Sequence, residues 1–460
     1  MTTENNRCVS CPQRDTVEQD GYAEALSDTT TQLEEQNGAM LLERILHRDN
    51  LNEAFLRVKR NKGAAGVDGR TIEETFKWLQ IHKDEVLDQL RTGNYRPSPV
   101  RSHSIPKADG GVRKLGIPTV LDRVIQQAIV QILTPILEPT FSDNSYGYRP
   151  NRSAQQAVKR VQQYAEEGYK YAVALDLSKY FDTMNQHMLL NMVRVHVKDK
   201  RVIQLIKKFL RSGMMDNNRF VKTKEGSPQG GNLSPILANL YLDTFDKEFE
   251  SRGVRMVRYA DDIVLLAKSE RAAKRLLESS TKFLEQTLKL QVNTKKSRVV
   301  SVLAIKHFKF LGFAFGRRRE GIYIRVHAKS MRKMKDKLKL LTRRNQGRNV
   351  RQVMQNVKKY MQGWLGYYKI ADLKIRLKAI DEWLRRRFRM YIWKQWKKIS
   401  TKARSLMKLG VSNEQAYRWA NTRLGYWRIA KSPILQITIT NKRLVQAGYY
   451  DISSSYESMR

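Results

Sequence analysis

Two adjacent carboxylates, Asp261 and Asp262, stand in the run Met256-Val-Arg-Tyr-Ala-Asp-Asp-Ile-Val-Leu-Leu266, with apolar residues on both sides. Short apolar runs around a tight polar turn predict a β-hairpin carrying both acids at its tip. Two unpaired carboxylates beside a buried sheet are costly unless a cation satisfies them, and Mg²⁺ prefers such hard oxygen ligands. A third acid, Asp176, follows the apolar run Ala172-Val-Ala-Leu175, where a strand end would bring it toward the pair. Acids placed this way can hold two divalent ions about 4 Å apart, activating a hydroxyl and stabilising a leaving phosphate. That chemistry is phosphoryl transfer, which depends on positioning and charge neutralisation more than on a nucleophilic side chain. An Asp-Asp pair alone is usually a solvated surface turn; the upstream strand-end acid and the surrounding features shift the weight toward catalysis.

The chain that must position these groups has 460 residues, enough for two or three domains. Lys and Arg number 86 against 45 Asp and Glu, a formal net charge of +41 with an isoelectric point near 10.2. An excess of that size implies a polyanionic partner. With no long unbroken apolar run and no basic-then-apolar N-terminus, nucleic acid is favoured over a membrane, and the cytoplasm is the default location. The two cysteines, Cys8 and Cys11, supply half of a zinc site at best and read as incidental.

Residues 1–36 hold eight acids and two arginines, against the trend of the chain, and read as a disordered acidic tail. Apolar residues from Leu41 to Val58 keep a helical period, which the Gly63–Gly69 stretch ends in a loop. From 95 to 316 short apolar runs alternate with helical segments, the look of an α/β domain; Ala273, Leu276, Leu277, Phe283, Leu284 and Leu288 are spaced for an amphipathic helix. Between Arg317 and Lys408 there are 30 Lys and Arg but five acids. There Met331, Met334, Leu338 and Leu341 make one helical stripe, and Val350, Val353, Met354, Val357, Met361 and Trp364 another. Such stripes are core faces of a helical bundle whose charges point outward.

With these features in order, the sequence resembles the reverse transcriptases encoded by mobile group II introns. Tyr95-Arg-Pro-Ser-Pro99 leads to Ile105-Pro-Lys-Ala-Asp-Gly-Gly-Val-Arg-Lys-Leu-Gly-Ile-Pro118, similar to the family's first fingers block. Ser145-Tyr-Gly-Tyr-Arg-Pro-Asn-Arg-Ser153 resembles the second, the Asp176 run the third, and Gly226-Ser-Pro-Gln-Gly-Gly-Asn-Leu-Ser-Pro235 the fourth. Tyr259-Ala-Asp-Asp262 is the fifth, while Leu290-Gln-Val-Asn-Thr-Lys-Lys-Ser297 and Phe310-Leu-Gly-Phe313 resemble the sixth and seventh. The likeness runs from about residue 41 to 430.

The resemblance implies an α+β, helix-rich right-hand polymerase: fingers and palm with an antiparallel sheet packed on helices, then an α-helical thumb, or domain X. The divisions it suggests are the tail (1–36), an N-terminal extension and start of the fingers (37–94), and the reverse transcriptase domain (95–316). The thumb and maturase domain (317–410) and a short C-terminal DNA-binding region (411–460) follow. It implies that Asp176, Asp261 and Asp262, with the Leu177 backbone carbonyl, hold two Mg²⁺ ions, Mn²⁺ being a substitute. Lys107 and Arg113 would meet the incoming triphosphate, aided by backbone N–H groups at Asp109–Gly111. Phe181 would crowd the sugar 2′ carbon and so select deoxynucleotides, although an arbitrary Phe is more often plain core. Gln229 would contact the nucleotide sugar, and Asn293–Lys296 would lie near the primer end.

In the basic region, Arg385, Arg386, Arg387 and Arg389, interleaved with Trp393 and Trp396, would bind RNA or DNA phosphates while aromatics stack on unpaired bases. Trp364 reads as a packing residue, and Tyr367 and Tyr368 fit either role. Implied partners are the intron RNA, a primed RNA template, dNTPs and target DNA, with no membrane and with room for a homodimer. No Cys and His cluster of an HNH endonuclease is present, so priming would use an existing 3′ end. Two other readings compete: an RNA-binding splicing cofactor with a vestigial polymerase, and a domesticated or retron-like reverse transcriptase. The three acids with Phe181 and Gln229 speak against the first, the extended basic region against the second.

Overall fold

The computed structural model describes residues 40–106, 111–217, 219–223, 225–228 and 230–460, with Arg113 described in its backbone alone. The expected tail, Cys8, Cys11, Lys107, the Asp109 and Gly110 N–H groups and Gln229 lie outside the described residues, as does the side chain of Arg113. Two compact units are present: the chain up to Thr140 with Met184–Tyr241, and Phe141–Thr183 with Leu242–Arg460.

In the first unit, β1 (Val100–Pro106) pairs antiparallel with β2 (Val112–Ile117), Pro106 lying opposite Val112. On its other side β1 runs parallel to β4 (Met214–Asp216), which pairs with β5 (Arg219–Val221). The helical period over 41–58 is interrupted at His47, whose extended backbone (ψ 138°) separates Leu41–Leu46 from Arg48–Asn61 and whose side chain caps the second helix. Among the described residues only the helix from Val120 is long and apolar enough to cross a membrane. It is a core helix: Val124, Ala128, Ile129 and Leu133 are buried. So is its Asp122, which accepts hydrogen bonds from the Tyr95 hydroxyl (2.8 Å), the Ser98 N–H (3.1 Å) and the Thr119 hydroxyl (2.7 Å).

The second unit is built on a four-stranded sheet, order β6-β7-β3-β8, from β3 (Tyr171–Leu175), β6 (Arg255–Tyr259), β7 (Asp262–Ala267) and β8 (Arg298–Ser301). Every pairing is antiparallel, so the α/β alternation in sequence resolves into an α+β layer, as the resemblance implied. Helix Ala154–Glu166 covers the sheet with Ala157, Val158, Val161 and Ala165. The helix expected over 273–288 runs from Glu270 to Lys282 and ends in a π-helical turn, Phe283–Thr287.

A hairpin of β9 (Phe313–Arg318) and β10 (Gly321–Val326) comes next, so the division placed at 316/317 falls inside a strand. Helices Ala328–Leu341, Val350–Tyr368 and Lys374–Gln395 and a series of shorter ones complete the unit. One buried apolar cluster extends from Val158 through Phe313, Met334, Val357, Leu377 and Phe388 to Leu444 and Tyr456. The change in composition after Gly316 is therefore a change of surface; the core continues through it. The last helix, Ile452–Ser458, is tied to Lys374–Gln395 by the buried Asp381. That carboxylate accepts from the Tyr449 hydroxyl (2.5 Å) and from the N–H groups of Ile452 (3.1 Å) and Ser453 (2.8 Å).

Candidate active site

Tyr259 pairs with Asp262 across a two-residue turn, so the acids stand at a hairpin tip as their spacing predicts. Ala260, the first turn residue, has φ +58°, a left-handed conformation that costs an L-residue roughly 1–2 kcal/mol. On the neighbouring strand Leu175 pairs with Ile263, and one further step along that ladder sets Asp176 opposite Asp262. Two acids more than eighty positions apart in sequence thus reach the same end of one sheet, beside the third.

The electrostatics record this crowding. Asp262 keeps a solvent-accessible surface, yet its carboxyl is pushed up to about 6, first by the dense protein around it and then by the charges of Asp261 and Asp176. The positive charge of Lys309, an exposed side chain, opposes the shift. Desolvation, then nearby Lys333, lowers the Lys309 ammonium, while Asp262 works the other way.

Asp176 has its own partners. Its Oδ2 accepts from Asn293 Nδ2 at 3.1 Å and lies 3.7 Å from Lys296 Nζ. Its backbone carbonyl accepts the Asn293 N–H at 2.8 Å, and its N–H donates to Ser297 Oγ at 3.0 Å. Leu177 forms a bridge with Val292. The segment expected near the primer end also holds the strand-end acid.

Among the described residues, no three acidic, histidine or cysteine side chains converge closely enough to cage a metal ion by themselves. The donors nevertheless suit Mg²⁺, which keeps several waters and is bound through one or two carboxylates plus substrate phosphates. The mutual repulsion at Asp262 is the strain such a cation would relieve.

A family model described as "Reverse transcriptase (RNA-dependent DNA polymerase)" matches residues 105–315, and one described as "Group II intron, maturase-specific domain" matches 331–410. Protein YkfC of Escherichia coli (strain K12) is 33% identical over 319 residues, 61% of this chain and 83% of that protein. The chain belongs to the group II intron reverse transcriptase and maturase family. Group II intron-encoded protein LtrA of Lactococcus lactis subsp. cremoris is 37% identical over 229 residues, 45% of this chain and 38% of that protein. A putative COX1/OXI3 intron 2 protein of Saccharomyces cerevisiae is 29% identical, with 56% of this chain and 37% of that protein covered. The chain thus spans well under half the length of these last two relatives.

Within this reverse transcriptase the turn is braced by residues whose sequence context did not single them out. Arg258 lies under it, its side chain fully buried with that of Asp246. From the other side comes the second fingers-type block: Tyr146 N–H donates to the Arg258 carbonyl (2.8 Å) and Arg258 N–H to the Asn144 carbonyl (2.9 Å). A Cβ on Gly147 would stand 2.3 Å from the Ala260 nitrogen, which is why that position has no side chain. The one sequence signal for this arrangement was Arg258 itself, a charge inside an apolar strand.

Phe181 sits half-buried on the short helix Tyr180–Thr183, its ring 5.3 Å from that of Tyr180. Tyr367 and Tyr368 resolve to packing: both rings lie against Phe313, at 5.5 and 4.9 Å, and the Tyr367 hydroxyl donates to the Leu311 carbonyl at 2.9 Å. Burial first, then Tyr368, Tyr259 and Asp262, pushes the Tyr367 phenol up to about 12, so it stays a neutral donor near the acids.

The four arginines of the basic helix are occupied within the protein. Arg389 is buried and donates to the Ile439 carbonyl (2.8 Å) and Asn441 Oδ1 (2.9 Å). Arg387 donates to the Lys339 and Thr342 carbonyls (3.1 and 3.2 Å). Arg386 donates to the Trp427 carbonyl (2.8 Å) and stacks 3.8 Å from its ring. Arg385 is 3.8 Å from Asp451. In this structure these bonds tie Lys374–Gln395 to its neighbours, with Arg385, Arg386 and Arg387 keeping partial solvent access. Trp393, read from sequence as a stacking aromatic, is buried, edge-on to Trp396.

Proposed function

We propose that this reverse transcriptase copies its own intron RNA into DNA during retrohoming and binds that RNA through its maturase region to assist splicing. The observation that carries the polymerase half is the meeting of Asp176, Asp261 and Asp262 at one sheet end. These residues, with the Leu177 carbonyl, would hold Mg²⁺ or substituting Mn²⁺. Bound there, the ions supply activation of the primer 3′-hydroxyl and neutralisation of the triphosphate.

The protein's own part is positioning. Asn293 and Lys296 orient Asp176, and the braced turn presents Asp261 and Asp262. Lys309 offers an exposed positive charge that acts on Asp262, suited to a phosphate of the primer or nucleotide. Phe181 is proposed to exclude a 2′-hydroxyl, and Lys107, Arg113 and Gln229, carried from the family blocks, to contact the incoming dNTP. The further partners proposed are a primed RNA template and target DNA, in the cytoplasm and at the nucleoid.

The test is extension of a DNA primer on an RNA template with Mg²⁺ and dNTPs. Asp261→Ala with Asp262→Ala should abolish it, and normal synthesis by that variant would overturn the site assignment. Rescue of intron splicing at low Mg²⁺ by the same variant is expected if the maturase function is separate. Failure of the wild-type protein to promote splicing would remove the maturase half.

A further inference from the structure

An ion pair that takes no part in the metal and phosphate chemistry lies beneath the Tyr259–Asp262 turn. Arg258 on β6 and Asp246 on helix Ser234–Ser251 have side chains with no solvent exposure. The guanidinium Nε lies 2.9 and 2.8 Å from the two Asp246 oxygens, and Nη1 donates to the Ala260 carbonyl at 3.2 Å. A buried pair of this kind is often no more stabilising than apolar residues of equal volume, so stability alone is a weak reason for its presence.

Its third bond gives a better one. The Ala260 carbonyl belongs to the peptide that leads into Asp261, and Ala260 is the residue held at φ +58°. Left to itself, an alanine there relaxes toward negative φ and turns the Asp261 peptide with it. The Arg258 backbone is already committed to Asn144 and Tyr146, so the side chain works from a fixed base.

We infer that Asp246 and Arg258 are positioning residues for the metal-binding turn: Asp246 orients the guanidinium, which holds the Ala260 carbonyl and thereby the direction of Asp261. The inference rests on the polymerase reading of the site.

Two full-length variants separate positioning from bulk stability. Arg258→Lys keeps the charge but replaces the rigid planar fork, bidentate to Asp246, with a compact ammonium on a flexible stem. Arg258→Met with Asp246→Leu removes both charges and leaves an apolar pair, which should fold with a melting temperature near or above wild type. The readouts are melting temperature, Mn²⁺ binding to the nucleic-acid-free protein by electron paramagnetic resonance, and the kcat and dNTP KM of primer extension.

The expected result in both variants is Mn²⁺ affinity weakened about 10-fold or more and kcat reduced about 10- to 100-fold. The dNTP KM should stay within about threefold, since only the turn is disturbed. Wild-type Mn²⁺ affinity and kcat in a folded double variant would show the pair to be structural and overturn the inference. Should the double variant not fold, the same result in Arg258→Lys overturns it. Activity surviving in Asp261→Ala with Asp262→Ala would instead remove the site reading beneath it.

Discussion

Adding one methyl group at Gly147 tests how tightly the catalytic turn is held. The Cβ of Gly147→Ala would lie 2.3 Å from the Ala260 nitrogen, 2.9 Å from the Tyr259 carbonyl carbon and 3.1 Å from the Ala260 Cα. All three are backbone atoms, so no side-chain rotation relieves the clash. Ordinary contact begins near 3.4 Å, so about 1 Å of separation must come from moving the loop or the turn. The Asn144 and Tyr146 bonds to Arg258 pin the loop just before Gly147, and the turn therefore takes part of the shift. A displacement approaching 1 Å at a catalytic group costs about 10²-fold in rate, or about 2.7 kcal/mol of barrier. Overpacking of this kind costs roughly 1–3 kcal/mol of stability.

The assay is single-turnover primer extension with a thermal melt on the same preparation. Gly363→Ala is the control, because a methyl added at that helical glycine meets nothing within 4 Å; it should be neutral or more stable by up to about 1 kcal/mol. A cooperatively folded Gly147→Ala protein extending primers within threefold of wild type would refute the reasoning.

Three further outcomes are expected. Burial raises the Asp122 carboxyl from 3.8 to about 6, against hydrogen bonds from Thr119, Tyr95 and Ser98 that lower it. Its contribution to stability is thus full below pH 3.8 and lost as pH rises through about 6, by up to about 3 kcal/mol. Urea unfolding of Asp122→Asn at pH 4.5 and 7 should show a smaller decline than wild type; an unchanged difference would mean Asp122 titrates normally. Arg389→Ala, which removes bonds to Ile439 and Asn441, should lose about 1–3 kcal/mol of stability while the salt dependence of RNA binding changes by less than one phosphate's worth. A slope reduced by about one with an unchanged melt would return that residue to the RNA. Asp381→Ala leaves the Tyr449 hydroxyl and the Ile452 and Ser453 N–H groups without their acceptor. Limited proteolysis should then release the C-terminal helix well before the rest, and wild-type resistance there would deny Asp381 its anchoring role.

Local signals were the legible ones. Short apolar runs around Tyr259–Asp262 and before Asp176 placed the three acids at a hairpin tip and a strand end, where the structure has them. The thumb stripes were legible for the same reason: Met334, Leu338, Val353, Met354, Val357 and Met361 are all buried. A side-chain period reports which face meets a core whatever that core is. The break at His47 was missed because a capping side chain can end a helix without disturbing the apolar spacing on either side.

By itself, then, the sequence determined the strands, the turn and the chemical character of the acids, since each follows from neighbours a few residues away. Tertiary structure decided which groups meet: Asp176 with Asp262, Asn293 with Asp176, Gly147 with Ala260, Asp246 with Arg258. It also decided what the arginines do, because a guanidinium's role depends on whether water, a phosphate or a buried carbonyl lies within its reach. Those are contacts between distant parts of the chain, and no local spacing encodes them.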